Sequence, residues 1–133
     1  MSQIPRPRVL LADDHPSILR ALQRTLRTVC DVVGEVSSGG QVLGAVEELA
    51  PEVVVLDLSL PEMSGLDLCP LIKTSRPQTK IIILTAIDDA EIRAEAMRLG
   101  ASALVLKNLL AVDLVACIHR AVLDEAEHVR SDS

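Results

Sequence analysis

The sequence predicts an α/β fold in which five parallel strands form one doubly wound sheet flanked by five helices. Two observations predict this fold. Short aliphatic runs without alternating polar residues indicate strands that are buried on both faces, as parallel strands are. Segments with apolar residues at helical spacing alternate with these runs across short connections, which is the pattern of successive βα units.

Each strand is predicted from its composition. Four are continuous aliphatic runs, whereas the second is more polar and contains Gly34, which predicts an edge strand. Right-handed crossovers favour the flavodoxin-like strand order 2-1-3-4-5, in which the first and third strands are neighbours. The predicted strands are residues 9–12, 32–36, 53–56, 81–84 and 104–106.

The helices are predicted from apolar spacing and from residues that favour helix ends. Pro16 suits a first helical turn, and Pro51 ends the second helix. The predicted helices run through residues 18–29, 42–49, 66–72, 88–99 and 110–126. Residues 1–126 are therefore expected to form one domain, and residues 127–133 a polar C-terminal tail or the start of a linker.

The amino-acid composition excludes several classes of function. The chain has 133 residues, of which 49% are hydrophobic and none aromatic, so its core is aliphatic. A net charge of -6 argues against nucleic-acid binding by this segment. No apolar run is long enough to span a membrane and no signal peptide opens the chain, so we expect a cytoplasmic protein. Cys30, Cys69 and Cys117 lack metal-ligand spacing, which predicts reduced and mostly buried thiols.

Five chemically functional side chains follow the predicted strands, at the edge where such sheets bind ligands. Asp13 and Asp14 follow the first strand, Asp57 the third, Thr85 the fourth and Lys107 the fifth. Converging carboxylates repel one another without a cation, and an all-oxygen site suits Mg²⁺ better than zinc. Beside a cation, Asp57 can attack a phosphoryl group whose oxygens Lys107 and Thr85 hold. The pattern predicts a site for Mg²⁺ and a phosphoryl group.

These residues, in this order, resemble the receiver domain of two-component response regulators, and the resemblance covers essentially the whole chain. Residues 11–16 (LADDHP) and 60–65 (LPEMSG) are most similar to the NarL/LuxR-type branch. Ser59 stands two residues beyond the aspartate that matches the phosphoacceptor, and the resemblance implies that its backbone carbonyl is a Mg²⁺ ligand. The other implied roles are a metal-binding acidic pair (Asp13 and Asp14), a phosphoacceptor (Asp57), and a conserved hydroxyl and lysine (Thr85 and Lys107).

The implied function is a switch, not an enzyme that turns over a substrate. A sensor histidine kinase or phosphotransfer protein would supply the phosphoryl group, and phosphorylation would shift the conformation of a distal face. That face comprises the fourth helix, the fifth strand and the fifth helix. It is expected to carry a homodimer or partner contact. The reason is that apolar residues cover more of the surface of the last helix than the single stripe that packing against the core requires. Ile87 is predicted to restrict water near the phosphorylated aspartate.

Two features bear on the output of the switch. The family often has an aromatic residue three positions before the lysine, but this chain has Leu104 there and no aromatic residue elsewhere. NarL/LuxR-type regulators usually carry a helix-turn-helix domain after the receiver, and nothing after Ala126 supplies one. We therefore expect a stand-alone receiver or the receiver half of a DNA-binding regulator.

Other interpretations stay open. A Mg²⁺-dependent phosphatase with an aspartate nucleophile would need a second aspartate at position 59, where this chain has Ser59. A pseudo-receiver would keep the fold and serve as an interaction module without phosphorylation. Asp13 and Asp14 are compatible with simple helix capping, which is the preferred account of Asp88 and Asp89. His15 is expected to be a solvated loop side chain.

Overall fold

The structure, a computed structural model, describes the backbone of residues 6–131 and the side chains of residues 6–123. Its centre is one parallel sheet of five strands in the order β2-β1-β3-β4-β5. This order confirms the predicted flavodoxin-like topology and the edge position of the Gly34 strand. The strands are β1 (Arg8–Ala12), β2 (Asp31–Val36), β3 (Val53–Asp57), β4 (Lys80–Thr85) and β5 (Ala103–Leu106).

Five α-helices connect or follow the strands. A short 3₁₀ turn, Lys107–Leu109, leads from β5 into the last helix. Pro16 is the first residue of the first helix, as predicted. The helices are α1 (Pro16–Leu26), α2 (Gly39–Leu49), α3 (Gly65–Ser75), α4 (Ala90–Arg98) and α5 (Leu110–Ser131).

Alternate residues of each strand enter opposite layers of the core. In β3, Val54 and Leu56 pack with the apolar faces of α2, α3 and α4. Val53 and Val55 pack with α1 and α5 on the other side of the sheet. Because both faces are covered, all five residues of β3 are buried, which explains why the strand is a continuous aliphatic run. Packing on both faces fixes the carboxyl edge of the sheet in space.

The first helix is shorter than the predicted one. It ends at Leu26 instead of continuing to Val29, because the chain must turn to enter β2 at Asp31. The Arg6 guanidinium donates hydrogen bonds to the carbonyl oxygens of Arg27, Thr28 and Cys30, and it thereby satisfies acceptors beyond the helix end.

The last helix is longer than the predicted one. It continues to Ser131 instead of ending near Ala126, and the segment contains neither glycine nor proline to stop it. The side chains of the predicted tail, residues 127–133, lie outside the described part of the chain, so the boundary at residue 126 stays a prediction. Within residues 6–131, no helix combines the length and apolar character that a bilayer span requires.

Candidate functional site

The site lies at the carboxyl ends of β1 and β3, which are adjacent strands. Ala12 pairs with Leu56 in the sheet register, so Asp13 and Asp57 leave neighbouring strands at the same edge. Both aspartate side chains are buried. One carboxylate oxygen each from Asp13, Asp14 and Asp57 lies within 4.8 Å of the others. We refer to these three aspartates together with Lys107 as the acidic site.

Lys107 reaches both buried carboxylates. It follows β5, two strands away from β3, and its Nζ lies 3.2 Å from Asp13 Oδ2 and 3.2 Å from Asp57 Oδ1. Its side chain is mostly buried, so these ion pairs are formed away from bulk water. One ammonium group therefore faces three carboxylates, and the acidic site keeps an excess of negative charge.

Burial raises the pKa of Asp57 above its ordinary value. The negative charge of Asp13 acts in the same direction, whereas the Ser59 N–H and the Lys107 ammonium partly offset the rise. The Ser59 N–H donates to Asp57 Oδ1 at 3.1 Å, and the same oxygen faces Lys107. Asp57 Oδ2 has no hydrogen-bond partner among the described residues. This oxygen is therefore the one free to bind a cation or to form a new bond.

His15 is an exposed loop side chain, as expected, and it also contacts the acidic pair. Its ring is more than half exposed, but Nδ1 lies 3.0 Å from Asp13 Oδ1 and 3.3 Å from Asp14 Oδ1. Its backbone N–H also donates to Asp13 Oδ1 at 2.8 Å. His15 is the N-cap residue of α1, so capping by Asp13 or Asp14 is not what the structure shows. The sequence signal for this role was only its position directly after the acidic pair.

Thr85 ends β4, beside the strand that carries Asp57, and it is buried. Its hydroxyl oxygen accepts a hydrogen bond from the Ile87 N–H at 3.3 Å and lies 3.5 Å from the Ile87 carbonyl oxygen. Among the described residues it pairs with this backbone and with none of the carboxylates. The threonine thus stands at the predicted edge, and its hydroxyl is bound to the loop that follows β4.

Asp89 has the structural role that its sequence position indicates. Its Oδ1 accepts hydrogen bonds from the backbone N–H groups of Glu91 and Ile92, at 2.8 and 3.2 Å, and so caps α4. The prediction of helix capping is confirmed for Asp89 but not for Asp88. Asp88 is exposed and pairs with Arg93 outside the acidic site.

The cysteines lie apart from this chemistry. Cys30 and Cys69 are buried, Cys117 is half-buried, and all three are free thiols. Burial raises the pKa of Cys30, and it raises that of Cys69 to about 11, so both thiols stay protonated and act as small apolar core residues. The predicted burial is therefore found for two of the three cysteines.

The donor set fits a hard divalent cation. Three acidic side chains converge and supply oxygen donors, a His15 ring nitrogen lies in the same cluster, and the buried Asp57 Oδ2 is without a partner among the described residues. The excess negative charge would be offset by such an ion. Mg²⁺ usually binds one or two carboxylates and keeps several waters, and the exposure of Asp14 leaves room for them.

This fold and this site define the class of receiver domains. The sequence profile of the response regulator receiver domain matches residues 9–119. The chain therefore belongs to the receiver-domain family of two-component response regulators.

Individual relatives place the chain near the NarL/LuxR-type branch, as predicted. It is 33% identical over 121 residues to the uncharacterised transcriptional regulatory protein YxjL of Bacillus subtilis, covering 90% of this chain and 56% of the relative. It is 30% identical over 119 residues to the nitrate/nitrite response regulator NarL of Escherichia coli, covering 88% and 55%. A LuxR-family response regulator from Aurantimonas sp. has a similar crystal structure, with a TM-score of 0.84, 28% identity, and coverage of 90% and 87%. The chain spans about half the length of the curated relatives it matches.

Proposed function

We propose that this receiver domain accepts a phosphoryl group on Asp57 in a Mg²⁺-dependent reaction. The observation that carries the proposal is the environment of Asp57: a buried carboxylate whose Oδ1 is held by Lys107 and Ser59 and whose Oδ2 has no partner among the described residues. One oxygen is thus oriented by two donors while the other is left for reaction. This arrangement suits a nucleophile.

The donor is a phosphohistidine on a sensor histidine kinase or phosphotransfer protein. The phosphorus–nitrogen bond of the donor breaks as a bond forms between phosphorus and an Asp57 oxygen, and the departing imidazole takes up a proton. Asp13, Asp14, Asp57 and the Ser59 carbonyl would hold Mg²⁺, which would supply positive charge to offset the repulsion between the carboxylate and the phosphoryl oxygens. Lys107 holds one phosphoryl oxygen, and Thr85 donates its hydroxyl to another.

The proposal assigns Lys107 two successive partners. Before phosphorylation its ammonium is shared between Asp13 and Asp57. Afterwards it pairs with the phosphoryl group bonded to Asp57, which carries more negative charge than the free carboxylate did. For Thr85 to donate to the phosphoryl group, its O–H must turn away from the Ile87 carbonyl oxygen, which releases one contact with the loop after β4 and lets that loop move. That movement is the link from the acidic site to the distal face.

The output is proposed to be a contact through the face of α4, β5 and α5, either with a second copy or with another partner. Much of the apolar surface that suggested this contact belongs to the core, since Leu110, Leu114 and Ile118 are buried. Leu109, in the 3₁₀ turn before α5, is 39% exposed, and Val112, in the first turn of α5, is 76% exposed. Phosphorylated protein is expected to associate in light scattering, and Val112→Glu to reduce that association. A phosphorylated protein that stays monomeric and binds no partner would argue against this output.

The wider role is also a proposal. Relatives of which the matched region covers 56% are named as transcriptional regulatory proteins. We propose that the receiver controls such a regulator and that any DNA contact is made by a separate domain, because this segment has a net charge of -6. Leu104 stands three positions before Lys107, where the family often has an aromatic residue. In this chain the position is therefore occupied by an aliphatic side chain that is buried in β5.

The proposed function is tested by intact mass after incubation with a small-molecule phosphodonor, with Mg²⁺ or with a chelator. One phosphoryl adduct is expected with Mg²⁺ only, and it should be absent from Asp57→Asn. Asp31→Asn, which alters an exposed carboxylate at the start of β2, is the matched control and should take up the group normally. An adduct that persists in Asp57→Asn, or no Mg²⁺-dependent adduct at all, would refute the proposal. Steady turnover of phosphate monoesters would support a phosphatase instead.

A further inference from the structure

The loop that follows Asp57, residues 58–64, packs across the N-terminal end of α2. The Gly39 N–H donates to the Pro61 carbonyl oxygen at 2.9 Å, and the Gly40 N–H donates to Glu62 Oε1 at 3.2 Å. Ser38, the N-cap residue of α2, makes no side-chain capping bond. The loop therefore satisfies backbone donors of α2 that a capping side chain would otherwise bind.

The close approach of loop and helix depends on two glycines. A Cβ atom added to Gly39 would lie 2.3 Å from the Met63 carbonyl oxygen, so the loop backbone would have to move. A Cβ added to Gly40 would lie 2.4 Å from Glu62 Oε1, which can swing away but then loses its hydrogen bond. Any larger residue at position 39 thus displaces the loop itself.

Glu62 adopts a backbone conformation that it would not favour alone. Its φ of 74° lies in the left-handed region, which side chains other than glycine rarely occupy. Such a conformation persists only where surrounding contacts determine it. Here the contacts are the Gly40 bond to its carboxylate and the Gly39 bond to the preceding carbonyl. The start of α2 therefore shapes the loop.

We propose that Gly39, Gly40 and Glu62 position the Ser59 backbone for the cation. The inference rests on the proposed function, because it takes the Ser59 carbonyl as a Mg²⁺ ligand. Hydrogen bonds hold the chain at Ser59 and just beyond it. The Ser59 N–H donates to Asp57 Oδ1, and the carbonyl oxygen of Pro61, two residues further, accepts from the Gly39 N–H. A shift at Met63 is transmitted back to Ser59 through this short segment. Gly39, Gly40 and Glu62 are positioning residues, since none contacts the acidic site.

The test compares the Mg²⁺ affinity of four variants by calorimetric titration. Gly39→Ala is expected to weaken the affinity about tenfold, as loss of a supporting contact does in other metal sites. Glu62→Ala should weaken it by a smaller factor, whereas Glu62→Gln keeps an oxygen acceptor and should retain wild-type affinity. Gly44→Ala is the matched control, because it lies in the same helix with open space around it.

Two further readouts separate positioning from a general loss of stability. Hydrogen exchange of amides in residues 58–64 should be faster in Gly39→Ala and unchanged in Gly44→Ala. Saturating Mg²⁺ should restore the rate at which Gly39→Ala takes up the phosphoryl group. A purely structural role would lower the free energy of unfolding and leave the Mg²⁺ affinity of the folded protein unchanged.

Unchanged Mg²⁺ affinity in Glu62→Ala overturns the inference, and this exposed substitution decides the matter even where Gly39→Ala fails to fold. If the inference is overturned in this way while wild-type protein binds Mg²⁺ and takes up a phosphoryl group at Asp57, the proposed function survives. If wild-type protein does neither, the proposed function is wrong and the inference falls with it. The wild-type measurement thus distinguishes the two failures.

Discussion

Asp57→Asn replaces a buried carboxylate with a neutral side chain of nearly the same shape, and without divalent cations it is expected to stabilise the protein. The substitution keeps an oxygen that can accept the Ser59 N–H. Lys107 also keeps its second partner, Asp13, at 3.2 Å. The variant therefore removes a buried charge while leaving most of the surrounding contacts in place.

The magnitude follows from the distances. The Lys107 ammonium and the Asp57 carboxylate are 3.2 Å apart, and they attract by about 5 kcal/mol at an effective dielectric constant of about 20. An Asp13 oxygen lies within 4.8 Å, and on the same scale it repels Asp57 by at least about 3 kcal/mol. The remaining attraction, about 2 kcal/mol, is smaller than the several kcal/mol that removing a carboxylate from water costs. We therefore expect Asp57→Asn to raise the free energy of unfolding by about 1–3 kcal/mol.

The assay is urea unfolding in a chelator, followed by far-ultraviolet circular dichroism because the chain has no Phe, Tyr or Trp. The midpoint should rise at an unchanged slope. The exposed control, Asp31→Asn, should change the free energy of unfolding by less than about 0.5 kcal/mol. Added Mg²⁺ should stabilise wild-type protein more than Asp57→Asn, because the variant has lost a ligand.

The pH dependence has a definite sign. The pKa of Asp57 is raised by burial, so between its ordinary and its raised pKa the folded state binds a proton that the unfolded state does not. Wild-type stability should therefore increase as the pH falls through this window and decrease as it rises. Asp13, Asp14, His15 and Lys107 lie around Asp57, so the contribution of Asp57 is the difference between the pH profiles of wild-type protein and Asp57→Asn. Destabilisation of Asp57→Asn in chelator, or identical pH profiles, would refute the reasoning.

Three further predictions concern other residues. Lys107→Met removes the ammonium group that pairs with Asp13 and Asp57, and in chelator it should lower the free energy of unfolding by about 3–5 kcal/mol. Added Mg²⁺ should restore part of this stability. A loss below about 1 kcal/mol in urea unfolding would contradict the prediction. Ile87→Lys should change the rate at which phosphorylated protein loses its phosphoryl group, measured by intact mass over time, and an unchanged rate would remove the proposed role of Ile87 as a barrier to water. Asp89→Ala removes the cap of α4 and should cost about 1 kcal/mol, whereas a thermal midpoint equal to that of wild-type protein would mean that the cap contributes nothing.

The fold was predictable because its central strands, β1, β3 and β4, are buried on both faces. The run from Val53 to Asp57 contains no polar residue until the strand reaches the edge of the sheet, and the first polar residue is the candidate phosphoacceptor. Strand order followed from the handedness of the crossovers and from the single Gly-interrupted edge strand. These are local or general constraints, and they need no knowledge of side-chain positions.

Helix ends were less predictable. The apolar spacing of α1 continues to Val29, which packs against the core although it lies outside the helix. The helix ends earlier because the connection to β2 needs those residues, with Arg6 from a distant part of the chain binding the free carbonyl groups. The spacing of apolar residues indicates which residues are buried. Because buried residues continue beyond the end of α1, this spacing does not locate the helix end.

The sequence alone determined which residues reach the carboxyl edge of the sheet, because a buried strand carries aliphatic residues until it emerges and the chain crossovers have one hand. It thereby determined that three carboxylates, a hydroxyl and a lysine would share that edge. Only the tertiary structure decided how they pair: Lys107 between Asp13 and Asp57, His15 on the acidic pair, and the loop after Asp57 on the start of α2. Apart from the local His15 contact, they join residues far apart in the chain at separations of about 3 Å, and such separations depend on packing that sequence spacing does not specify.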